Sequence, residues 1–403
     1  MRNRVINIFL QNLKSRIIIG LVIFLFFAGY YFILLYSRIA TDIQAHAAIA
    51  YSFAVDHTKL TPNFLYFILV ALISGFTKYY PVYYGASIVI ICAAITAKFL
   101  LTIFYLNQYS ELKNNIFIAF GLSFAMLFIF ALPGSGYFNK GNFYFGQLTA
   151  TVWHNSTVIF LMPFAILLFF KSYELLFSNN KEQHRKILFQ VTILVILNAL
   201  IKPSFLFTLL PSVFICFFYN KSFSKKGGNK FHYLLPYLIG MILIALEYYI
   251  IYKLNYISSS TNNHGEESKV ILSPFEVWKS FSDNMWVAAI TSLFFPVIFI
   301  ILTKGGVLKN KMVQFSLINF LLGLCIWILL AEEGARKYHA NFYWQIVVTV
   351  YLLFLSLLID FVKRVQLKQL CYYKQWLIGG AFLLHFIWGV FYWLKIIIFR
   401  GYN

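Results

Sequence analysis

Three stretches of this chain, residues 17–36, 313–331 and 341–359, contain no charged side chain and are apolar almost throughout. Each has the roughly 17–25 residues that a helix needs to cross the hydrocarbon of a bilayer. Composition points the same way: of 403 residues, 61% are hydrophobic, 20% aromatic and only 11% charged. An ordinary globular domain carries about 25% charged residues, and a soluble fold could not hide this much apolar surface. The expected fold is all-α, a polytopic integral membrane protein of about 10–12 transmembrane or re-entrant helices. It forms one transmembrane domain over residues 1–403 with no separate soluble domain.

The net charge of +20 is the kind of surplus that marks nucleic-acid binders. In a membrane protein, surplus Lys and Arg are held on the cytoplasmic side, so the charge reports topology, and nucleic acid is not expected as a partner. Cys92, Cys216, Cys325 and Cys371 lack paired spacing and read as small core residues, outside any disulfide framework. The first apolar run, at 20 residues, exceeds the 7–15 of a signal peptide and reads as a retained helix.

Four base-rich loops, 171–186, 221–230, 304–311 and 363–374, are placed in the cytoplasm by the same rule. The helices between them are expected near 154–170, 232–255, 284–303, 313–331, 344–362 and 376–396. Segments 133–153, 255–283 and 332–343 then face outward. The run 187–219 is too long for one span and is broken by Lys202 and Pro203, so it reads as a hairpin turning at that pair, with a single long, kinked helix, which would invert sidedness, as the competing reading. Residues 63–76 read as re-entrant or interfacial, with 82–106 as the true crossing. On this map eight of the 13 acids (Asp42, Asp56, Glu266, Glu267, Glu276, Asp283, Glu332, Glu333) lie outside. Five of the eight histidines (His46, His57, His154, His264, His339) join them. The outer face therefore carries most of the groups suited to acid-base or metal chemistry.

Three outer segments concentrate that chemistry. The first outer loop, 37–62, has no Gly or Pro before Pro62 and is expected to hold an interfacial helix. Asp42 and His46, at i and i+4, share a face of it and could bind a divalent metal ion or act as a coupled base, although no cofactor is required by the sequence. The second outer loop ends in Trp153, His154, Asn155, Ser156 and Thr157, where aromatic rings, amides and hydroxyls suit a sugar. The bland reading is an interfacial aromatic belt, which accounts for most of these aromatics individually. The third segment packs Glu332, Glu333, Arg336, His339 and Asn341 between two apolar runs, where charge is expensive unless paired or used. Arg336 suits a phosphate, and Glu332 or Glu333 could orient it. A solvated turn with internal ion pairs is the alternative. Lys202, beside its proline, is placed to meet a lipid phosphate or simply to snorkel.

This arrangement resembles the GT-C superfamily of polytopic glycosyltransferases. The likeness rests on a basic N-terminus and first span, an interfacial first outer loop with an acid, Asp42, just past that span, and a many-helix core with the Lys202-Pro203 hairpin. It covers most of the chain as architecture and a few residues as motif. It implies a membrane glycosyltransferase that moves a sugar from a polyprenyl-phosphate-linked donor to a glycan or lipid acceptor. The working site would be extracytoplasmic, in the bacterial inner (cytoplasmic) membrane. By resemblance Asp42 is the catalytic base or metal-binding carboxylate, and Lys202 or Arg336 holds the carrier phosphate. No second acid follows Asp42 until Asp56, which leaves metal dependence open. Rival readings are a transporter or flippase of lipid-linked glycans, a glycan polymerase or ligase of another fold, and a membrane acyltransferase using His154 or His339. Transport usually brings repeats and charges in mid-span, and neither dominates here.

Overall fold

The computed structural model describes residues 13–37, 39, 41–110, 112, 116–134, 143–178, 184–219, 230–254 and 269–399. Glu111, Lys113, His264, Glu266, Glu267 and residues 135–142 of the second outer loop lie outside the described residues. The protein is 81% helical with almost no sheet. Its helices are α1 (Leu13–Tyr36), α2 (Asp42–Val55), α3 (Leu65–Ile73), α4 (Tyr80–Tyr109), α5 (Ile116–Phe128), α6 (Ser156–Phe177), α7 (His184–Ile201) and α8 (Leu206–Tyr219). They continue with α9 (Leu235–Tyr248), α10 (Glu276–Phe281), α11 (Met285–Ser292), α12 (Phe294–Leu302), α13 (Lys311–Leu329), α14 (Trp344–Gln366) and α15 (Tyr372–Ile398). Among the described residues, eight helical segments are long and apolar enough to cross a membrane, or nine with the bent pair α11 and α12. The chain is an all-α polytopic membrane protein.

Burial sorts these spans. The segment Arg336–Gln366, which contains α14, is the axis of the bundle, with 94% of its most apolar window buried, whereas Phe231–Lys253, around α9, is peripheral at 22%. In a bilayer the outward faces meet lipid, so exposed Leu, Ile and Phe on α1, α9 and α15 are the expected consequence of an apolar solvent.

The hairpin at Lys202 forms as the sequence suggests. Chain ends far apart in sequence return to one place: His184 Nδ1 lies 3.0 Å from the Tyr233 hydroxyl, and the Phe217 and Phe231 rings lie 5.9 Å apart. The start of α7 and the end of α8 therefore meet the same turn, with Lys202 at the far end. A proline lacks the N–H that a continuing helix would use, and a single 3₁₀ turn, Pro203–Phe205, reverses the chain.

Two expectations need correction. The helix expected over 284–303 is bent by 66° between α11 and α12. A bend frees backbone donors that lipid cannot satisfy, and His385 on α15 meets the need. Its Nε2 accepts from the Phe295 N–H at 3.3 Å, while Nδ1 lies 2.7 Å from the Phe130 carbonyl past the end of α5. Outer segments expected as plain loops also pair as a small antiparallel sheet, β1 (Val270–Leu272) with β2 (Leu330–Glu332), in the register Val270 to Glu332 and Leu272 to Leu330. The β-branched Val270 and Ile271 favour that extended backbone, which ties segment 269–273 to the end of α13. Helix α3, at nine residues, is too short to span at 1.5 Å per residue, in line with the interfacial or re-entrant reading of 63–76.

Candidate functional site

Two helix N-termini bring the first set of groups together. Thr41 caps α2, its hydroxyl accepting from the Ile43 N–H at 3.2 Å, so Asp42 opens the helix. Asn155 caps α6 through Oδ1, which accepts from the Val158 N–H at 3.1 Å and from the Thr157 hydroxyl at 2.9 Å. The same side chain turns its amide toward α2 and donates to Asp42 Oδ2 at 2.9 Å. Thr157 in turn accepts from Lys202 Nζ at 3.4 Å. Asp42, Asn155, Thr157 and Lys202 thus form one hydrogen-bonded chain across three elements, with the ammonium 5.6 Å from the centre of the Trp344 ring.

Both histidines of this region are pulled out of water. His154 is 2% exposed, lies 3.0 Å through Nε2 from the Tyr144 hydroxyl and 3.8 Å from Asp42 Oδ2. Burial lowers its pKa to about 4, against a smaller upward pull from Asp42. His46, with Nδ1 2.5 Å from the Ser156 hydroxyl, is likewise pushed down to about 4, first by burial and then by the Lys202 charge. Each is neutral near pH 7, so each can accept or relay a proton without carrying charge.

The second set of groups hangs on Glu332, at the end of β2. Its carboxylate is 3% exposed, and a carboxylate so buried needs partners. It has three: Arg336 Nη2 at 3.1 Å, the Tyr252 hydroxyl at 2.7 Å and the amide of Asn341 on its other oxygen. A second pair lies further out, where Lys337 Nζ meets Glu276 at 2.5 Å and the Ser273 hydroxyl donates to the same carboxylate. The hydrogen bond from Lys337 is the main reason that the Glu276 pKa lies below the usual carboxylate range. Ala340, buried with φ +55°, turns the chain between the two 3₁₀ segments of this region.

Between the two sets lies a cavity of about 540 Å³, within the range of small-ligand sites. His46, Thr157 and Lys202 line it from one side, and Glu332, Arg336 and Asn341 from the other. The remaining wall is greasy: Phe207, Ile244, Ile251 and Phe342 are among the side chains that close it. Of the residues singled out in the sequence, these six share one space. Asp42 and Asn155 adjoin the cavity beside Thr157 without lining it, Asp42 with its side chain 42% exposed and with His154 against it. Trp153 is in the core, 1% exposed, its carbonyl accepting from the Tyr31 hydroxyl at 2.8 Å. Glu333 and His339 are exposed on the turn and do not line the cavity. Sequence reasoning gave no site role to Glu247, a single mid-span charge, or to Tyr252, yet both line it. Their signal was present: Glu247 is the lone acid of the apolar run 231–253.

A divalent metal ion finds no ready-made donor set. Among the described residues no three His, Cys, Asp or Glu side chains are grouped to hold one, and His46 Nδ1 and Asp42 Oδ2 are already engaged by Ser156 and Asn155. Comparison of the chain with protein-family models, with curated proteins and with solved structures returns no match.

Proposed function

We propose that the protein is a membrane glycosyltransferase that takes a sugar from a polyprenyl-phosphate-linked donor and transfers it to a glycan or lipid acceptor at this cavity. The observation that carries this reading is a single space, part greasy and part charged, that joins two cations, Lys202 and Arg336, to the Asp42 and His46 cluster. A lipid phosphate asks for that combination: apolar wall for the chain, positive charge for the headgroup.

The proposed step balances simply. The acceptor hydroxyl gives its proton to the Asp42 carboxylate and its oxygen bonds to the anomeric carbon. The bond from that carbon to the phosphate oxygen breaks, and the phosphate leaves with the electron pair. Lys202 and Arg336 stabilise the charge that develops there. Asn155 and Thr157 link the base to Lys202, so acid-base and phosphate-binding groups are set relative to each other.

Sidedness belongs to the same proposal. Lys311 packs 5.7 Å from the Phe177 ring and Arg364 pairs with Asp360, so the ends of α6 and α14 carry bases opposite the cavity. The positive-inside rule then turns the cavity outward, with the bacterial inner membrane as the host bilayer.

The decisive measurement is sugar transfer from a panel of polyprenyl-phosphate sugars by wild type, Asp42→Asn and Arg336→Ala in lipid nanodiscs. Loss of a general base lowers turnover by about 10²-fold or more. The Asn can still accept from Asn155, so folding is spared. Full turnover in folded Asp42→Asn would remove the assigned base. Movement of the donor across vesicles with no transfer would instead identify a flippase.

A further inference from the structure

Two ionisable groups, one basic and one acidic, line the cavity without a salt bridge among the described residues. Lys202 Nζ has a hydroxyl, Thr157, and an aromatic face, Trp344, but no carboxylate of the described residues forms a salt bridge with it. Glu247 lies in the membrane-crossing segment Phe231–Lys253, and among the described residues no donor or cation bonds its side chain. The other charges nearby are already used. Glu332 is saturated by Arg336, Tyr252 and Asn341, and Asp42 is held by Asn155 at the 42% exposed mouth of α2.

A lone carboxylate at membrane depth is unfavourable unless something completes it. Lys202 and Glu247 attract each other through the cavity but form no salt bridge. They sit on different elements, the α7–α8 break and α9, and stay beyond salt-bridge distance. What they present is a base and an acid lining one space. A ligand carrying a phosphate alone would satisfy Lys202 and leave the Glu247 carboxyl without a partner. An ammonium beside Glu247 would draw it into the ionised form and pair with it.

We propose that the ligand of this cavity carries a primary ammonium as well as a phosphate, with the phosphate on Lys202 and the ammonium on Glu247. This rests on the reading of the cavity as a lipid-phosphate site and narrows it to amine-bearing lipid phosphates. Two sources share that chemistry: an amino sugar on a polyprenyl phosphate, and a zwitterionic phospholipid headgroup.

The test is equilibrium binding to the purified full-length protein in dodecyl maltoside micelles, which carry neither phosphate nor amine, read by native mass spectrometry. Four probes are used: polyprenyl phosphate, a polyprenyl-phosphate amino sugar, the N-acetylated form of that lipid, and phosphatidylethanolamine. Wild type should bind an amine-bearing probe about tenfold more tightly than its uncharged counterpart, a difference of about 1.4 kcal/mol. The isosteric Glu247→Gln should erase that preference and bind plain polyprenyl phosphate at least as tightly as wild type. Glu247→Asp should retain part of the preference, which guards against a misfolded variant. Preference for the amino sugar or for phosphatidylethanolamine identifies the source. Equal wild-type affinity for the free and acetylated amines, with no preference for phosphatidylethanolamine, overturns the ammonium assignment. If Lys202→Gln also binds plain polyprenyl phosphate as well as wild type, the lipid-phosphate reading itself falls. If Lys202→Gln loses that lipid, the lipid-phosphate reading survives while the ammonium does not.

Discussion

The two ends of the bundle use the same residue types in opposite ways. At the base-rich end, Asp360 is buried and fully occupied. Arg364 Nε reaches one oxygen at 2.5 Å, Asn310 Nδ2 reaches the other at 2.8 Å, and Arg364 also donates to the Gly306 carbonyl at 3.0 Å. Asn310 in addition caps α13, accepting from the Met312 N–H at 2.9 Å. The cluster closes on itself and joins α13, α14 and the turn between α12 and α13. At the cavity end Lys202 and Glu247 line the same space without forming a salt bridge. A saturated cluster near a membrane surface is a structural joint, whereas charge left open beside a cavity is an invitation to a ligand.

The sharpest way to break this contrast is to remove one member from each end. Asp360→Ala leaves Arg364 partly buried without its anion, and breaking a buried pair in this way destabilises by about 3 kcal/mol. We expect a thermal unfolding midpoint in detergent several degrees lower, with ligand binding by the surviving folded protein unchanged. Glu247→Gln should move the midpoint upward or not at all. Equal destabilisation by both would mean that Glu247 too is a structural joint.

Acidity probes the cavity end through its buried imidazoles. The His154 pKa is lowered to about 4 by burial, while an unfolded histidine titrates near 6.5. Between those values the unfolded chain binds more protons than the folded one, so stability is full above about pH 6.5 and falls as pH drops toward 4. From pH 7 to 5 the loss from His154 is about 2 kcal/mol at most. His154→Gln should remove that share of the fall in stability over the interval, leaving the share of His46. An unchanged profile would show that this imidazole is not held neutral by the fold.

These contrasts explain how far the sequence could be read. The spans were legible because bilayer thickness fixes their length, and the hairpin because Pro203 withholds an N–H midway along a run whose two flanks are both basic. Asp42, Lys202 and the Glu332 to Asn341 segment could be picked out because charge beside apolar runs is costly. Their division into roles could not. That Glu332 is saturated depends on Tyr252, eighty residues earlier in the chain. That Trp153 is core while its neighbour Thr157 lines the cavity depends on the direction in which the chain enters α6. The bend at α11 and α12 was hidden because its compensating acceptor, His385, comes from the last helix.

A smaller effect separates holding from catalysing. Asn341 bonds the Glu332 oxygen opposite the one that anchors Arg336. Asn341→Ala should loosen the carboxylate and, through it, the guanidinium. The expected result is a KM for the lipid donor raised by about fivefold, roughly 1 kcal/mol, with kcat nearly unchanged. A fall in kcat with constant KM would place Asn341 at the reacting atoms instead.

The smallest expected effect lies at the link between the two halves of the proposed chemistry. Thr157 receives a hydrogen bond from Lys202 and gives one to Asn155, which holds Asp42. Thr157→Val keeps the shape and deletes the hydroxyl. Asn155 still has the Val158 N–H and Asp42 to fix it, so the cap survives, while Lys202 loses its one hydrogen-bonding side chain among the described residues. Turnover should fall a few-fold, about 1 kcal/mol or less, and Thr157→Ser should restore it. If valine and serine behave alike, the hydroxyl does not couple base and ammonium, and Asp42 and Lys202 act independently across the cavity wall.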